Sequence, residues 1–353
     1  MAEESQNGTP TVNSCVMEVN GTASHILYIG CSVTSEGFKT VSRSSCGLID
    51  KVIVVIPGNP GCADFYRSFV ESLHEKSDCI PVVAISHSFH HYQTLSSSWK
   101  SKLFQADVFN LQQQVQHKVD FINQFFTENT EVILIGHSIG GYVCLKLLQH
   151  YGRCRRTNSD IAENSETEAE RQNQRLVCYD RNLVHGYLMM PTFERMKVSP
   201  RGQQMLPVIQ HLRYLVLFLH FLFTSLVPKF WFLTLIGWFK TASQVEFVRQ
   251  GVDTIYRTRC LCNFLYMASD ELETVKALDK QLIQDSISKT TFYYTPGDGW
   301  APAHYGEELR DRMGSEGVKV IIGQEGFAHQ FLDQDSESAA EMILKWCKAD
   351  EVL

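Results

Sequence analysis

The sequence has no uninterrupted apolar run long enough to cross a bilayer and no dense stripe of lysine and arginine. A membrane-spanning helix needs about 20 consecutive apolar residues. A nucleic-acid-binding surface needs clustered positive charge, whereas this chain carries a formal net charge of −7. The composition therefore argues against both a simple membrane-spanning protein and a general nucleic-acid-binding protein.

A secretory signal and a metal-binding cysteine pattern are also missing. The first ten residues, MAEESQNGTP, contain an acidic pair and no apolar segment. The 11 cysteines form no CxxC pair and no Cys/His cluster at zinc spacing. We therefore expect a cytosol-facing protein with reduced cysteines and without a metal or organic cofactor. Cys260 and Cys262 are predicted to be small packing residues.

With 353 residues, of which 44% are hydrophobic and 20% charged, the chain can bury one large core. Short apolar runs alternate with segments of helical periodicity, which is typical of a mostly parallel sheet flanked by helices. We predict one α/β domain over residues 14–353, after a flexible N-terminus at residues 1–13. Two segments are expected to interrupt the alternation of strands and helices. They are a polar, exposed surface loop at residues 152–178 and a helical insertion at residues 197–280.

The most informative segment is Glu131–Tyr142, which has the sequence EVILIGHSIGGY. An apolar run typical of a buried parallel strand leads directly into GHSIG, a match to G-x-S-x-G. In that motif a serine lies at a sharp strand-to-helix turn, and glycines permit the close approach of the backbone. We interpret Ser138 as a nucleophile at a helix N-terminus, where the dipole favours developing negative charge. The alternative is a glycine-rich turn with a solvent-facing serine.

A second loop follows the apolar run KVIVVI and has the sequence PGNPG, residues 57–61. In serine hydrolases of the α/β class this loop supplies one N–H of the oxyanion hole, and the residue after the nucleophile supplies the other. Asn59 is the predicted donor because Pro60 has no N–H, and Ile139 is its predicted partner. A plain turn of proline and glycine is the alternative.

Two later segments place a carboxylate and a histidine after predicted strands. Asp298 lies in the turn PGDG after TFYYT, and His329 lies in a loop between the strand KVII and the C-terminal helix. Each is unremarkable alone, since Pro-Gly-Asp-Gly also suits a simple turn. The chain order Ser138, Asp298, His329, each at a strand end, predicts a nucleophile, an acid and a base. Glu194, after the strand LVHGYLMM, is a rival for the acid.

Three histidines, His87, His90 and His91, follow the predicted strand PVVAI. Clustered histidines are one feature of metal sites, but no carboxylate falls at a regular offset from them. We predict surface histidines beside the mouth of a pocket.

The least soluble stretch is residues 205–239, in which YLVLFLHFLFTSLV and FWFLTLIGWF are separated by Pro228 and Lys229. The first half would be about 21 Å long as a helix, too short for about 30 Å of hydrocarbon. We expect a lid over an acyl pocket, a monotopic anchor in one leaflet, or both. A buried helical hairpin is the alternative. The side chains expected at a lipid surface are Tyr214, Phe218, Phe221, Trp231 and Trp238.

Several motifs together resemble the lipid droplet-associated hydrolases. They are PGNPG followed by Phe65 and Tyr66, GHSIGGY, PTFERM, the broken apolar segment, the turn GDGW and the final AHQF. The resemblance implies an α/β-hydrolase with Ser138, Asp298 and His329 as its triad. It also implies a serine esterase of neutral lipid metabolism, linked to cholesteryl esters and triglyceride storage and targeted to lipid droplets and endoplasmic reticulum by the apolar segment. The polar run at residues 152–174 departs from the compact pattern of that family.

The predicted function is therefore the hydrolysis of carboxylic esters of hydrophobic lipids, such as cholesteryl esters, at a cytosol-facing droplet surface. The apolar segment, rather than the triad, points to lipid, because a triad alone suits any ester, thioester or amide. Two alternatives remain. One is a weakly catalytic or non-catalytic droplet protein that promotes lipid storage. The other is a soluble thioesterase, esterase or peptidase whose apolar segment is only a lid.

Overall fold

The computed structural model describes residues 11–34, 37–40, 49–95, 109–164, 181–324 and 326–353. The strands in these ranges are, in chain order, β1 Asn13–Val19, β2 Thr22–Ile29, β3 Cys31–Thr34, β4 Gly37–Thr40, β5 Lys51–Ile56, β6 Val82–Ile85, β7 Glu131–His137, β8 Asn182–Met189, β9 Thr290–Tyr294 and β10 Lys319–Ile322.

One sheet contains eight of the described strands, in the order β1-β2-β6-β5-β7-β8-β9-β10, and β3 pairs with β4 separately. The hairpin β1–β2 turns at Asn20 and Gly21, both of which have positive φ, as a tight hairpin turn requires. Strand β2 joins β6 in antiparallel fashion, and each neighbouring pair from β6 to β10 is parallel. The predicted mostly parallel sheet is confirmed.

The central strands β5 and β7 are apolar along nearly their whole length because both faces of the sheet are covered. In β5 every residue after Lys51 is buried. The same holds in β7 for every residue after Glu131. A strand that is buried on both faces has no reason to alternate polar and apolar residues. Because β5 to β10 are parallel, their carboxyl ends meet at one edge of the sheet, and the predicted site segments leave from that edge.

Helices cover the sheet and extend beyond it. In the described ranges they are α1 Arg67–Lys76, α2 Leu111–Phe125, α3 Ile139–Asn164, α4 Pro200–Leu206, α5 Arg213–Leu226, α6 Lys229–Phe239, α7 Ala242–Ile255, α8 Thr258–Thr274, α9 Lys280–Gln284, α10 Ala303–Met313 and α11 Ser336–Ala349. A π-helical turn, Pro207–His211, joins α4 to α5. Helix α1 packs against α11, where Lys76 pairs with Glu337 and Glu341. Buried side chains of these helices and the sheet form one apolar core.

The segment predicted as a polar loop begins as a helix, so that prediction is wrong for its first half. Helix α3 continues through Gly152 as far as Asn164. The rest of the predicted loop, residues 165–178, lies outside the described residues. The prediction relied on the absence of apolar residues, but the apolar turns at Tyr142–His150 already nucleate the helix. Propagating a helix is much easier than nucleating one, and arginine and glutamate favour the helical state.

The apolar stretch forms two separate helices, α5 and α6, with a break at Val227 and Pro228, as the proline predicts. No single described helix is both long and apolar enough to cross a membrane. Pro200–His211 and Arg213–Leu226 together reach that length and hydropathy, but they are bent by 77°. Helix α6 buries none of its residues and α5 buries only Leu217. The alternative of a buried hairpin is therefore wrong.

Large apolar side chains are exposed on both of these helices. Of the five expected at a lipid surface, Tyr214, Phe218, Trp231 and Trp238 are exposed, whereas Phe221 is only partly exposed. Further exposed side chains on α5 and α6 include Leu226 at 78%, Phe230 at 69% and Phe239 at 81%. The charge of Lys229, at the break between the helices, is paired with Asp253 of α7.

The helix bounds after the apolar stretch differ from those predicted. The sequence there predicts one helix over residues 246–268 and another over residues 271–280. Instead, α7 ends at Ile255, and α8 runs from Thr258 through Thr274. Helix α7 also starts earlier, after a capping box formed by Thr241 and Gln244.

Candidate active site

Ser138 lies at a sharp turn between β7 and α3. Its φ of 54° is unusual for a residue with a side chain, and its N–H donates to the Met189 carbonyl over 3.0 Å. Gly140 faces the end of β5, because a Cβ there would lie 2.6 Å from the Pro57 carbonyl oxygen and closer still to that of Ile56. The G-x-S-x-G spacing thus lets the serine turn pack directly on the neighbouring strand.

A Gly140→Ala substitution is expected to lower the free energy of unfolding by about 2 kcal/mol, because the new methyl group must displace the backbone at the end of β5. Gly237→Ala is the matched control. A Cβ at Gly237, in the exposed helix α6, meets no atom within 4 Å, so that variant should be neutral or stabilised by up to about 1 kcal/mol. Urea unfolding measures both variants. Equal stability of Gly140→Ala and wild type would contradict this packing.

The structure brings Ser138, Asp298 and His329 together. His329 Nε2 lies 2.9 Å from Ser138 Oγ, and His329 Nδ1 lies 2.6 Å from Asp298 Oδ2. The other carboxylate oxygen of Asp298 accepts the N–H groups of Trp300 at 2.7 Å and Ala301 at 3.1 Å. The carboxylate is therefore fixed in orientation before it meets the histidine.

The charge on Asp298 decides which nitrogen of His329 carries the proton. Burial alone would raise the pKa of Asp298, but the hydrogen bond and charge of His329 and the two backbone N–H groups together lower it. An ionised carboxylate only accepts hydrogen bonds, so Nδ1 of His329 carries the proton. Nε2 then presents a lone pair to the Ser138 hydroxyl, which is the tautomer that a general base needs.

Glu194, the rival acid, is held by other groups. It is buried and forms an ion pair with Arg195 at 2.9 Å. Arg195 also pairs with Glu308 at 2.8 Å and lies over the ring of Tyr305. Burial raises the pKa of Glu194, although the charge of Arg195 opposes that change. The histidine is paired with Asp298 instead.

The backbone N–H groups of the loop 57–61 are mostly occupied. Gly58 N–H donates to the Tyr66 hydroxyl over 2.8 Å, and Gly61 N–H donates to His90 Nδ1 over 3.1 Å. Pro60 has no N–H. The N–H groups of Asn59 and Ile139 make no hydrogen bond to any residue in the described ranges. They are the two that were predicted to form an oxyanion hole.

A buried chain of hydrogen bonds links this loop to the loop of His329. His137 Nε2 lies 2.8 Å from the His329 carbonyl oxygen, which can only accept, so Nε2 carries the proton. His137 Nδ1 therefore accepts from the Tyr66 hydroxyl, 2.7 Å away. Burial and the nearby His329 lower the pKa of His137 to about 3, so the ring stays neutral. Tyr66, which also accepts from Gly58, thus connects three segments of the site.

A Tyr66→Phe variant is expected to lose about 2 kcal/mol of unfolding free energy, because it leaves Gly58 N–H and His137 Nδ1 buried and unpaired. The kcat of any ester hydrolysis should also fall, since the His329 backbone loses part of its support. Tyr28→Phe is the control, because the Tyr28 hydroxyl makes no hydrogen bond to the described residues. A Tyr66→Phe variant as stable as Tyr28→Phe would show that the chain of bonds carries no stability.

The prediction of surface histidines at positions 87, 90 and 91 is wrong, since all three are buried. Helix α8 covers their loop: Asn263 donates to the Phe89 carbonyl over 2.7 Å, and the rings of His90 and Phe264 are in contact. Burial lowers the pKa of His90 to about 3, and its neutral ring holds Gly61. A tertiary contact with a distant helix leaves no local signal in the sequence of the loop.

His91 lies close to two groups that commonly bind metals, His25 and Asp64. Gln93 N–H donates to Nδ1 of His91, so Nε2 carries the proton and donates to Asp64 over 3.0 Å. The rings of His25 and His91 are stacked 3.6 Å apart and nearly parallel. The cluster is therefore held together by a hydrogen bond to the Asp64 carboxylate and by stacking of the two histidine rings.

Ser138 and His329 open onto a cavity of about 600 Å³. Its walls are mainly apolar and come largely from the segment that follows β8; they include Met205, Ile209, Phe247, Ile255, Leu261, Phe264, Leu265 and Ala268. A cavity of this size and lining suits an apolar small-molecule ligand, with few polar groups to orient it.

The sheet order, the strand-to-helix turn at Ser138 and the cavity at the carboxyl ends of the strands define the protein as an α/β-hydrolase. A solved structure of a serine hydrolase from Cycloclasticus zankles shares this fold, with a TM-score of 0.54 at 13% identity over 96% of this chain and 98% of the other.

Sequence similarity places the protein more narrowly. The profile of the lipid-droplet associated hydrolase family matches residues 50–332. The lipid droplet-associated hydrolase of Gallus gallus is 28% identical over 94% of this chain and 93% of its own length. That of Homo sapiens is 26% identical over 85% of each chain. The chain belongs to the lipid droplet-associated hydrolase family, which confirms the resemblance drawn from its motifs.

Proposed function

We propose that the protein hydrolyses carboxylic esters of hydrophobic lipids, with Ser138 as nucleophile, His329 as base and Asp298 as the acid that orients it. The observation that carries this proposal is the hydrogen-bonded series of these three side chains at the wall of an apolar cavity. The cavity matters as much as the triad, because its mainly apolar walls suit the acyl chain of a hydrophobic ester.

The reaction proceeds in two stages. His329 Nε2 takes the proton of the Ser138 hydroxyl as its oxygen attacks the ester carbonyl, and the same nitrogen then protonates the departing alcohol. Water, activated by His329, hydrolyses the acyl-serine in the second stage and releases the fatty acid. Asp298 keeps the proton on Nδ1 throughout and stabilises the imidazolium that forms in each stage.

The negative oxygen of each tetrahedral intermediate is assigned to the N–H groups of Asn59 and Ile139. Support comes from the hydrogen bonds of the neighbouring groups, because Gly58 and Gly61 already donate elsewhere and Pro60 has no N–H. Ile139 adds the positive end of the α3 dipole. Each donor is expected to lower the barrier by roughly 3 kcal/mol.

The lipid surface of the droplet is the proposed site of action, with the endoplasmic reticulum membrane as a second surface and the cytosol as the facing compartment. Two observations support this. The chicken and human relatives are named for lipid droplets, and helices α5 and α6 expose large apolar and aromatic side chains that their own fold does not cover. The same insertion lines the cavity, so a segment that lies in the lipid surface also acts as the lid.

A non-catalytic role in lipid storage is the main rival. The 2.9 Å separation between Ser138 and His329 counts against it, because a scaffold has no need of an intact series of three side chains. The soluble-esterase rival has to explain the uncovered apolar surface of α5 and α6.

The test measures fatty acid release from emulsified cholesteryl and glyceryl esters of long-chain acids, beside a water-soluble short-chain ester. Wild-type protein should release fatty acid from an emulsion, and Ser138→Ala should release none above background. Hydrolysis of the soluble ester alone would favour the soluble-esterase alternative. Folded wild-type protein that is inactive on every ester would favour the storage alternative.

A further inference from the structure

Glu271, on α8, is the one acidic side chain among the described residues that line the cavity. It is 1% exposed, and the other residues of α8 that line the cavity, Leu261, Phe264, Leu265 and Ala268, are all apolar. Burial raises the pKa of Glu271 to about 8, opposed by its hydrogen bond from Asn59 and reinforced by the charge of Asp270. A buried carboxyl group in an apolar cavity is costly unless it is hydrogen-bonded, so its partner identifies its role.

That partner is the side chain of Asn59, in the proposed oxyanion loop. Asn59 Nδ2 donates to Glu271 Oε1 over 3.1 Å and to the Phe264 carbonyl oxygen over 3.0 Å. Phe264 and Glu271 are seven positions apart on α8, about two helical turns, so both residues lie on one face of the helix. The single amide group thereby ties the loop after β5 to a helix of the insertion.

The Asn59 contact completes the support of the loop. Tyr66 holds Gly58 and His90 holds Gly61. Asn59 lies between Gly58 and Gly61. The hydrogen bonds of its side chain limit rotation of the Asn59 peptide group, and the N–H of that group has no hydrogen-bond partner among the described residues. An oxyanion donor works only when it is held in place before charge develops, so loss of this support would act on the transition state.

We propose that Glu271 is a positioning residue, which fixes the Asn59 amide against α8 and so orients the Asn59 N–H toward the substrate oxyanion. This role rests on the proposed function of the site. It deepens that function, because α8 belongs to the same insertion as the exposed helices α5 and α6. The hydrogen bond between the Glu271 and Asn59 side chains therefore links the position of the insertion to the orientation of the Asn59 N–H.

The test uses Glu271→Leu, which removes the acceptor, and Glu271→Gln, which keeps a carbonyl oxygen in the same place. At pH 7 the kcat of ester hydrolysis should fall by about 10- to 100-fold in Glu271→Leu, with little change in KM. This fall in kcat is a part of the loss that removal of an oxyanion donor would cause. Glu271→Gln should restore kcat to within about threefold. Glu273→Leu is the control, because Glu273 lies on the same helix but is exposed and pairs with Lys197.

Equal losses in the leucine and glutamine variants, or a change in KM alone, would overturn the proposal, because both would indicate substrate contact rather than support of Asn59. The double variant of Asn59→Ala with Glu271→Leu should lose no more kcat than Asn59→Ala alone, since both remove the same contact.

Hydrogen–deuterium exchange separates failure of this inference from failure of the proposed function, since it needs no activity. Amides of the loop 57–61 should exchange faster in Glu271→Leu than in wild type, because the loop loses its contact with α8. They should exchange at the wild-type rate in Glu271→Gln and Glu273→Leu. Unchanged exchange in Glu271→Leu would overturn the inference even if the protein is a fully active esterase.

Discussion

A His329→Ala variant is expected to lose at least about 10⁴-fold in kcat for ester hydrolysis, because no other group in the described part of the chain is hydrogen-bonded to the Ser138 hydroxyl and able to take its proton. Asp298→Asn should approach the same loss. An amide at that position can donate to Nδ1 of His329, which would move the ring proton to Nε2 and remove the lone pair that faces Ser138.

His304→Ala is the matched control for the loss of a histidine, because His304 is exposed and lies outside the cavity. Its kcat should equal that of wild type. Retention of a tenth or more of the wild-type kcat by His329→Ala would contradict the assignment of the base. The unfolding free energy of each variant must be measured beside kcat, so that a loss of fold is not taken for a loss of chemistry.

The second large effect is expected on lipid binding. A triple variant with Leu226→Ser, Trp238→Ser and Phe239→Ser should bind lipid droplets at least about 100-fold more weakly than wild type. These side chains are between 71% and 81% exposed, and burial of one large apolar side chain contributes roughly 1.5–3 kcal/mol. A hundredfold change corresponds to only about 2.8 kcal/mol. Stability should be unchanged, because none of the three is part of the core.

The measurement is co-flotation of purified protein with artificial droplets of triglyceride coated by phospholipid. Val16→Ser is the control, since Val16 is an exposed apolar residue at 41% on β1, away from the insertion. Ser138→Ala should float like wild type, because binding precedes chemistry. A triple variant that floats like wild type would show that α5 and α6 do not form the lipid-binding surface.

The sequence alone predicts the central sheet and the meeting of the three site residues at one edge of it, for a physical reason. Strands buried on both faces are short apolar runs, and parallel strands bring their carboxyl ends to one edge. Ser138, Asp298 and His329 could therefore be placed together from three separate strand ends, and the structure finds them within hydrogen-bonding distance. The apolar segment could be divided correctly because Pro228 interrupts it.

What the sequence could not predict depends on contacts between distant segments. The burial of His90 follows from α8, whose Phe264 covers it from more than 170 positions away. The position of Glu271 in the cavity wall has the same origin, because a glutamate on a helix normally indicates a solvated face. The sequence does not predict the extension of α3 to Asn164, because a helix that continues into a polar segment carries no hydrophobic periodicity.

Labelling with a fluorophosphonate probe tests most directly whether Ser138 is an activated nucleophile. Wild-type protein, in the presence of lipid or detergent to open the insertion, should form a covalent adduct at Ser138. Ser138→Ala should form none, and His329→Ala should react far more slowly. Absence of any adduct on folded wild-type protein under these conditions would contradict the hydrolase mechanism and leave lipid storage as the function to pursue.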